Sequence, residues 1–381
     1  MRRFVVSGAT ALVLAVGCSA PAPPAEATAR ASSAIQGGQD DPADDYAVAV
    51  FLELTSSTGD LCSGVLLAPN LVATARHCVQ QPSSDVVDCA STSFGTLYDP
   101  GQIIVSNDAV LGATLAGHSV AKIIVPTDPG DESLCGHDIA LLILNGAIQA
   151  SQYVEPAIVP ALTDHSTWAT SVAAIGYGLD SPLDEAGTSA GTRRIRQDIG
   201  IVCIPDDSTF TNCYADPSVQ SRVAAAEFES GDGTCEGDSG SGAFDQTQYT
   251  AGNAVAFGVL SRGGGDPGSA TCTGSVYSRF DAWGGLLVSA ANEAAQMGNY
   301  PVPAWATQQA AASDWGVDGS VPAATASSGG KGGGCSVAMA TAPGTPSEPG
   351  ERVPWRAAAP ALAVVATVLM RRRSRGRCRS R

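Results

Sequence analysis

Three short stretches of the chain carry side chains that could together perform nucleophilic chemistry. The segment CEGDSGSG, residues 235–242, holds Ser239 between two glycines. His77 lies in the stretch ATARHC, and Asp138 directly precedes the apolar run IALLIL. A serine hydroxyl is a weak nucleophile at neutral pH and needs a neighbouring base, which an imidazole can supply because it titrates near neutrality. A carboxylate on the second imidazole N–H would fix its tautomer, so the three residues predict acyl transfer.

The order His77, Asp138, Ser239, together with the three motifs around these residues, resembles that of the trypsin/chymotrypsin-like serine proteases. In α/β-hydrolases the serine comes first, and in subtilisins the aspartate does. The resemblance covers about residues 35–300 and implies a serine endopeptidase that hydrolyses peptides or proteins through an acyl-enzyme. It also implies that the backbone N–H groups of Gly237 and Ser239 bind the oxyanion. The sequence holds no cofactor motif, so neither a cofactor nor a metal is expected; a calcium site in a loop is the open alternative, since carboxylates are many but show no ordered ligand spacing.

Two other functions are compatible with the same residues. GDSG alone is typical of a solvated turn, because Gly, Asp and Ser are turn formers. Ser241 stands where the resembling family usually has glycine, and Gln36 where it usually has valine; both departures favour a catalytically silent binding module on the same fold. The second alternative is a structural surface protein in which the motifs are coincidental.

The rest of the chain predicts an all-β fold. Short apolar runs rich in strand formers alternate with Gly, Pro and Asp turns, and no long stretch of helical periodicity interrupts them. The family resemblance makes this specific: two six-stranded antiparallel β-barrels with the active site between them, followed by a C-terminal helix at about residues 281–297. The expected strands lie at residues 48–54, 61–67, 71–75, 102–105, 120–125, 139–144 and 171–175.

Composition limits the partners and the compartment. The chain has 381 residues and a net charge of −16, and residues 35–305 hold only 8 Lys and Arg against 32 Asp and Glu. Such a surface repels nucleic acid, so no nucleic-acid partner is expected. His118, His137 and His165 show no metal-ligand spacing. Eight of the 11 cysteines lie between residues 62 and 272, an even number that is typical of disulfides in an exported protein.

The family resemblance also implies two of the disulfides. Cys62–Cys78 would brace the loop of His77, and Cys235–Cys272 would tie the nucleophile loop to the opposite wall of the specificity pocket. Proximity and elimination leave Cys89–Cys135 and Cys203–Cys213 as the remaining pairs.

Activation by cleavage is expected at residue 35. The stretch IQGG that begins at Ile35 resembles the activated N-terminus of the family, whose new ammonium group pairs with the aspartate before the nucleophile, here Asp238. A buried carboxylate is tolerable only with such a partner. The bond to be cut follows Ala34, so an enzyme that prefers small neutral residues could cut it itself.

Substrate preference follows from the same resemblance. Gly233, six residues before Ser239, would lie at the base of the specificity pocket, and Gly263 and Ser275 would line its walls. With no charge there, we expect cleavage after a neutral residue, apolar or aromatic. Arg262 replaces the tryptophan usual at the pocket rim and would favour acidic residues two to four positions before the cut.

Both ends of the chain differ from the middle in composition. Residues 1–18 read as a signal peptide with a possible lipobox at Cys18, ordinary cleavage being the alternative, and residues 19–34 as a linker or propeptide. Residues 301–350 are predicted to be disordered. Residues 332–381 combine Gly-Cys335, an apolar run and an arginine cluster, and resemble a MYXO-CTERM sorting tail; a plain membrane anchor is the alternative. We therefore expect an exported monomer, extracellular or attached to the cell surface only through its terminal segments.

Overall fold

The computed structural model of the protein describes residues 35–55, 58–84, 86–112, 115–127, 130–184, 186–205, 207–210, 223–264 and 270–309. All of them belong to the first of two compact units, Met1–Ala323. The expected signal peptide (1–18), linker (19–34) and C-terminal sorting segment (332–381) lie outside the described residues. No helix among the described residues is long and apolar enough to span a bilayer.

The described part of the chain consists mainly of antiparallel strands, as the short apolar runs predicted. In chain order they are β1 (Gln39–Asp40), β2 (Ala47–Thr55), β3 (Thr58–Ala68), β4 (Leu71–Thr74), β5 (Gln80–Pro82), β6 (Phe94–Leu97), β7 (Ile103–Ser106), β8 (His118–Ile124), β9 (Ala140–Leu144), β10 (Glu155–Pro156), β11 (Ser171–Gly176), β12 (Arg194–Cys203), β13 (Glu227–Ser230), β14 (Gly242–Asp245), β15 (Val255–Gly264) and β16 (Thr273–Arg279).

These strands form two barrels of six strands each. The first barrel closes in the order β2-β3-β4-β9-β8-β7. The second runs β12-β11-β14-β15-β16-β13 and closes through pairing of β12 with β13. Val, Ile and Leu side chains fill both interiors, since β-branched and aliphatic residues pack well on a pleated surface. The expected two-barrel, all-β fold is therefore confirmed.

Three helices follow or interrupt the second barrel in the described part of the chain: α1 (Gln246–Thr250), α2 (Gly284–Gly298) and α3 (Ala304–Gln309). The apolar face of α2, with Leu287 and Ala290, packs into the core of the first barrel. In α3, Trp305 is buried in the same core. The predicted disorder of residues 301–350 is thus wrong at its start, because an indole side chain there packs against the barrel; residues 310–350 lie outside the described part.

Candidate active site

His77 lies at the end of the first barrel that faces the second. Strand β4 leads into a single 3-10 turn, Arg76–Cys78, and the Cys62–Cys78 disulfide ties this turn to β3. The turn leaves the imidazole 21% exposed while its neighbours are buried. The ring is therefore open to a substrate on one side and held by the protein on the other.

Asp138 orients the imidazole from inside the protein. Its side chain is fully buried; one oxygen accepts the His77 backbone N–H and the other lies next to Nδ1, both at 2.8 Å. Ser261 Oγ donates to the same second oxygen at 2.7 Å. Burial raises the pKa of Asp138, but His77 and the Ser261 hydrogen bond outweigh it and hold the pKa below its usual range. The carboxylate is thus ionised beside the ring.

The His77 pKa reflects two opposing influences. Burial disfavours the imidazolium and lowers the pKa, while the charge and hydrogen bond of Asp138 raise it by more. The positive charge of Arg262 acts in the lowering direction. The net result is a pKa above the ordinary value of 6.5, so the ring is a somewhat stronger base than a free imidazole.

Ser239 lies at a sharp turn of the second barrel. Gly240 has a φ of +83°, and a Cβ there would collide with the carbonyl oxygen of Ser63, so only glycine fits. The Ser63 N–H donates to the Ser239 carbonyl oxygen at 2.7 Å. This oxygen and His77 Nε2 lie 3.7 Å and 3.9 Å from the same atom, Cys78 Sγ. The partly exposed Ser239 therefore lies close to the ring, although no hydrogen bond joins Oγ to Nε2 among the described residues.

Two backbone N–H groups at this turn are free to meet a ligand. Within the described part of the chain, neither the Gly237 N–H nor the Ser239 N–H has a hydrogen-bond acceptor, although both residues lie in a tightly bonded loop. Gly237 reaches its position with a φ of +91°. Two adjacent unsatisfied donors form a site suited to a developing oxyanion.

Asp238 is a buried carboxylate that forms no ion pair with any residue of the described part of the chain. It accepts the backbone N–H groups of Gly178 at 2.8 Å and Cys235 at 2.9 Å. Burial raises its pKa to about 7, and these bonds and the Arg194 charge offset only part of that effect. The Ile35 side chain is fully buried in the core of the second barrel, but no hydrogen bond or ion pair among the described residues joins it to Asp238.

Gln36, which follows Ile35, is hydrogen-bonded to the loops of the expected specificity pocket through its backbone and its side chain. Gln36 donates its backbone N–H to Gly233 O at 2.7 Å and its side-chain amide to Ala270 O at 2.6 Å. Its side-chain oxygen accepts the Cys272 N–H at 2.9 Å. Valine could make only the first of these bonds, so the departure at this position adds polar links to the pocket loop.

One of the three expected pocket residues, Ser275, shares a buried hydrogen bond with Thr234, and the other two lie next to that threonine. Thr234 Oγ1 and Ser275 Oγ are hydrogen-bonded at 2.6 Å. A Cβ on Gly263 would lie 3.1 Å from Thr234 Oγ1, and Gly233 precedes Thr234 in the chain with a φ of +137°. The threonine, a residue that sequence reasoning did not single out, therefore narrows the space near Gly263. The expected base of the pocket, Gly233, lies beside a cation, since a Cβ there would be 2.5 Å from Arg196 Nη1.

Three of the four expected disulfides are formed: Cys62–Cys78, Cys89–Cys135 and Cys235–Cys272. The Cys203–Cys213 pair falls outside the described residues, since Cys213 is not among them. The sulfur atoms of Cys62 and Cys78 lie near the His77 ring and resemble a metal-ligand set. Because they are bonded to each other, they offer no thiolate.

Two residues that sequence reasoning missed, Ser261 and Glu227, lie behind Asp138. Ser261 is buried on β15 and holds the Asp138 carboxylate, as described above. Glu227 is fully buried and accepts both terminal nitrogens of Arg262, at 2.6 Å and 2.7 Å. The charge of Arg262 is thus compensated inside the protein, contrary to the expectation that it meets acidic substrate residues. One sequence feature pointed to such an ion pair: cations are scarce in this chain, and a cation within a β-strand needs an anionic partner.

Comparisons with known proteins identify the family of the chain. The family model described as Trypsin matches residues 35–283. A trypsin from Saccharopolyspora erythraea is 27% identical over 209 residues, which cover 54% of this chain and 79% of that protein. The CLIP domain-containing serine protease HP8 of Bombyx mori is 28% identical over 241 residues, 61% of this chain and 62% of that protein. A crystal structure of the scabies mite inactivated protease paralogue S-D1 aligns with a TM-score of 0.45 and 18% identity, over 67% of this chain and 97% of that one.

Proposed function

Because this chain belongs to the trypsin family, we propose that it is a serine endopeptidase that cleaves protein substrates with His77, Asp138 and Ser239. The observation that carries the proposal is the buried Asp138 carboxylate, bonded at 2.8 Å to both the backbone and the ring of His77, beside the partly exposed Ser239. An imidazole that is paired with a buried carboxylate and partly exposed beside a serine can act as the base that takes the proton of that hydroxyl.

The proposed reaction proceeds in two steps. Ser239 Oγ attacks the scissile carbonyl carbon and its proton passes to His77 Nε2; the ring then protonates the leaving amine as the C–N bond breaks, which leaves an acyl ester on the serine. Water then attacks the ester carbonyl carbon as its proton passes to His77 Nε2; the bond to Ser239 Oγ breaks, Oγ takes the proton back from the ring, and the acid product leaves. Asp138 remains ionised and stabilises the imidazolium. The Gly237 and Ser239 N–H groups bind the oxyanion, and one such donor is worth about 3 kcal/mol in the barrier.

Cleavage before Ile35 is proposed as the activating event, and two observations support it. Ile35 is β-branched and has a φ of +45°, a conformation that costs about 1–3 kcal/mol in an intact chain. Hydrolysis of the preceding peptide bond abolishes that dihedral angle and so releases the strain. It also creates an ammonium group near the second-barrel core, where the buried Asp238 carboxylate needs a cation.

The proposed substrates carry a small neutral residue before the cut. The Thr234–Ser275 hydroxyl pair narrows the space near Gly263, which favours alanine or serine over the aromatic residues that the sequence also allowed. Ala34 is such a residue, so the same preference supports self-activation. The three disulfides support a site of action outside the reducing cytoplasm, and we include export in the proposal.

The test is hydrolysis of a peptide panel by the protein cleaved before Ile35. We expect cleavage after Ala or Ser and a loss of roughly 10⁴-fold or more in kcat for Ser239→Ala or His77→Ala. Ser241→Ala is the matched control, since it removes a hydroxyl from the same segment and should leave kcat unchanged. Intact peptides with the cleaved wild type would contradict the proposal and favour the silent binding module. Efficient cleavage after Arg alone would contradict the substrate preference.

A further inference from the structure

The Glu227 carboxylate collects four hydrogen bonds in the interior of the protein. Two come from the Arg262 guanidinium, at 2.6 Å and 2.7 Å. The other two come from backbone N–H groups, Gly136 at 2.7 Å and Ala224 at 2.8 Å. Glu227 is fully buried and the Arg262 side chain is 14% exposed, so the pair lies mostly out of water. Each of the two carboxylate oxygens of Glu227 thus accepts two hydrogen bonds.

These bonds join the two barrels directly behind Asp138. Gly136 belongs to the first-barrel loop that leads into Asp138, whereas Glu227 begins strand β13 of the second barrel. Arg262 Nη1 also donates to Ser261 Oγ at 3.0 Å, and that hydroxyl donates to Asp138 Oδ2 at 2.7 Å. Glu227 is therefore linked to Asp138 in two ways. One is the hydrogen bond to Gly136, in the loop that leads into Asp138, and the other is the chain of side-chain hydrogen bonds through Arg262 and Ser261.

Stability alone does not account for this pair. A buried ion pair gains little net stability, since the desolvation of both charges offsets their attraction, and an apolar pair of similar volume would serve as well. An apolar pair, however, could neither accept the Gly136 N–H nor donate to Ser261. The ion pair differs from an apolar pair in that it forms directional hydrogen bonds to Gly136 and Ser261, which hold the Asp138 carboxylate.

We propose that Glu227 and Arg262 are positioning residues of the catalytic site, which hold Asp138 and Ser261 in register with His77 across the barrel junction. This rests on the proposed function, in that the positioned groups are those of the proposed triad. The titratable and charged groups around the network are those of two barrels. The first contributes His77, Asp138, Arg76, Asp131 and His137, and the second contributes Glu227 and Arg262. Asp138 raises the pKa of the ring and the Arg262 charge lowers it. Loss of either member of the pair should therefore shift that pKa as well as the geometry.

The test compares Glu227→Gln, Arg262→Gln and the double variant in the cleaved protein. Removing the anion leaves the cation uncompensated, so Glu227→Gln should lower the His77 pKa by about 0.5 pH unit. Arg262→Gln should raise it by a similar amount. In the double variant the two shifts should cancel, because both charges are gone. In all three, kcat per active site should fall roughly tenfold or more while KM stays within about twofold, because misplacement affects the transition state most.

Asp281→Asn is the matched control. It breaks another mostly buried pair, Arg279–Asp281, with bonds of 2.6 Å and 2.9 Å and no hydrogen bond to Ser261 or Asp138. We expect it to lower the melting temperature but to leave the His77 pKa and kcat per active site unchanged.

The His77 pKa is read by NMR titration of the ring, so this arm reports on the pair even in a protein that hydrolyses no peptide. Opposite pKa shifts together with a roughly tenfold or greater fall in kcat per active site in both single variants support the positioning role, whereas opposite pKa shifts with an unchanged kcat contradict it. If Glu227→Gln and Arg262→Gln behave like Asp281→Asn, with lower melting temperatures but unmoved pKa and kcat, the pair is only structural and the inference is wrong. Inactivity of the wild type together with opposite pKa shifts would instead contradict the proposed function alone.

Discussion

Replacement of Asp238 tests how activation is coupled to folding. In the uncleaved chain, burial raises the pKa of Asp238 from 3.8 to about 7. A carboxyl group whose pKa is raised on folding binds its proton more tightly in the folded state. It therefore costs nothing below pH 3.8 and destabilises the fold progressively as the pH rises towards 7. A shift of about three units corresponds to about 4 kcal/mol of unfolding free energy at pH 8.

The assay is urea unfolding of the uncleaved Ser239→Ala chain, with and without Asp238→Asn, between pH 4 and pH 8. Subtracting the unfolding free energies of the two proteins removes the contributions of all other titrating groups. The amide lacks one acceptor for the Gly178 and Cys235 N–H groups, a pH-independent cost of about 1–3 kcal/mol. Above this offset, the asparagine variant should gain about 4 kcal/mol relative to its parent from pH 4 to pH 8.

Cleavage before Ile35 should abolish that gain, because the new ammonium group then compensates the carboxylate. A difference in unfolding free energy that stays flat with pH in the uncleaved chain would refute the reasoning. So would a gain of equal size in the cleaved chain, since it would mean that no cation reaches Asp238.

Three further predictions concern the pH profile, a buried hydroxyl and the pocket. Because the His77 pKa is raised and only the neutral ring acts as base, the acid limb of kcat/KM should have its midpoint above pH 6.5; a midpoint below that value would contradict the assignment. Ser241 Oγ is buried without a hydrogen-bond partner in the described part of the chain, so Ser241→Ala should raise the unfolding free energy by about 1 kcal/mol, measured by urea denaturation, and a loss would show a missed partner. Thr234→Gly should enlarge the pocket and shift cleavage in a peptide panel from Ala towards Leu and Phe, with Thr234→Ser as the control. An unchanged cleavage profile would show that Thr234 does not limit the size of the residue that the pocket accepts.

The local motifs explain why much of the site could be predicted. The nucleophile turn requires glycine at residue 240, where a Cβ would meet Ser63, and Asp138 must precede a buried strand so that its carboxylate lies behind His77. Such constraints act over a few residues and therefore leave a readable pattern. The residues that form β2, β3 and β9 were recognisable for a similar reason, because each strand carries its own apolar run.

Features that depend on register between distant strands were not predictable. Glu227 and Arg262 meet because β13 and β15 both pair with β16, and nothing in the sequence around either residue indicates that pairing. Thr234 lies near Gly263 because the loop after β13 is bonded to Cys272, just before β16, which is again a contact between distant parts of the chain. The burial of Trp305 depends on how α3 returns to the first barrel after α2. Composition alone assigned that segment to disorder, since residues 301–350 are rich in Pro, Ala, Gly and Ser.

The central claim is that Ser239 is a hydroxyl activated by His77. Its most direct test is the mass of the cleaved protein after exposure to a fluorophosphonate, followed by peptide mapping. We expect one adduct per molecule, on Ser239, that is lost in His77→Ala and kept in Ser241→Ala. An unmodified wild-type protein, or an adduct of equal yield in His77→Ala, would contradict it.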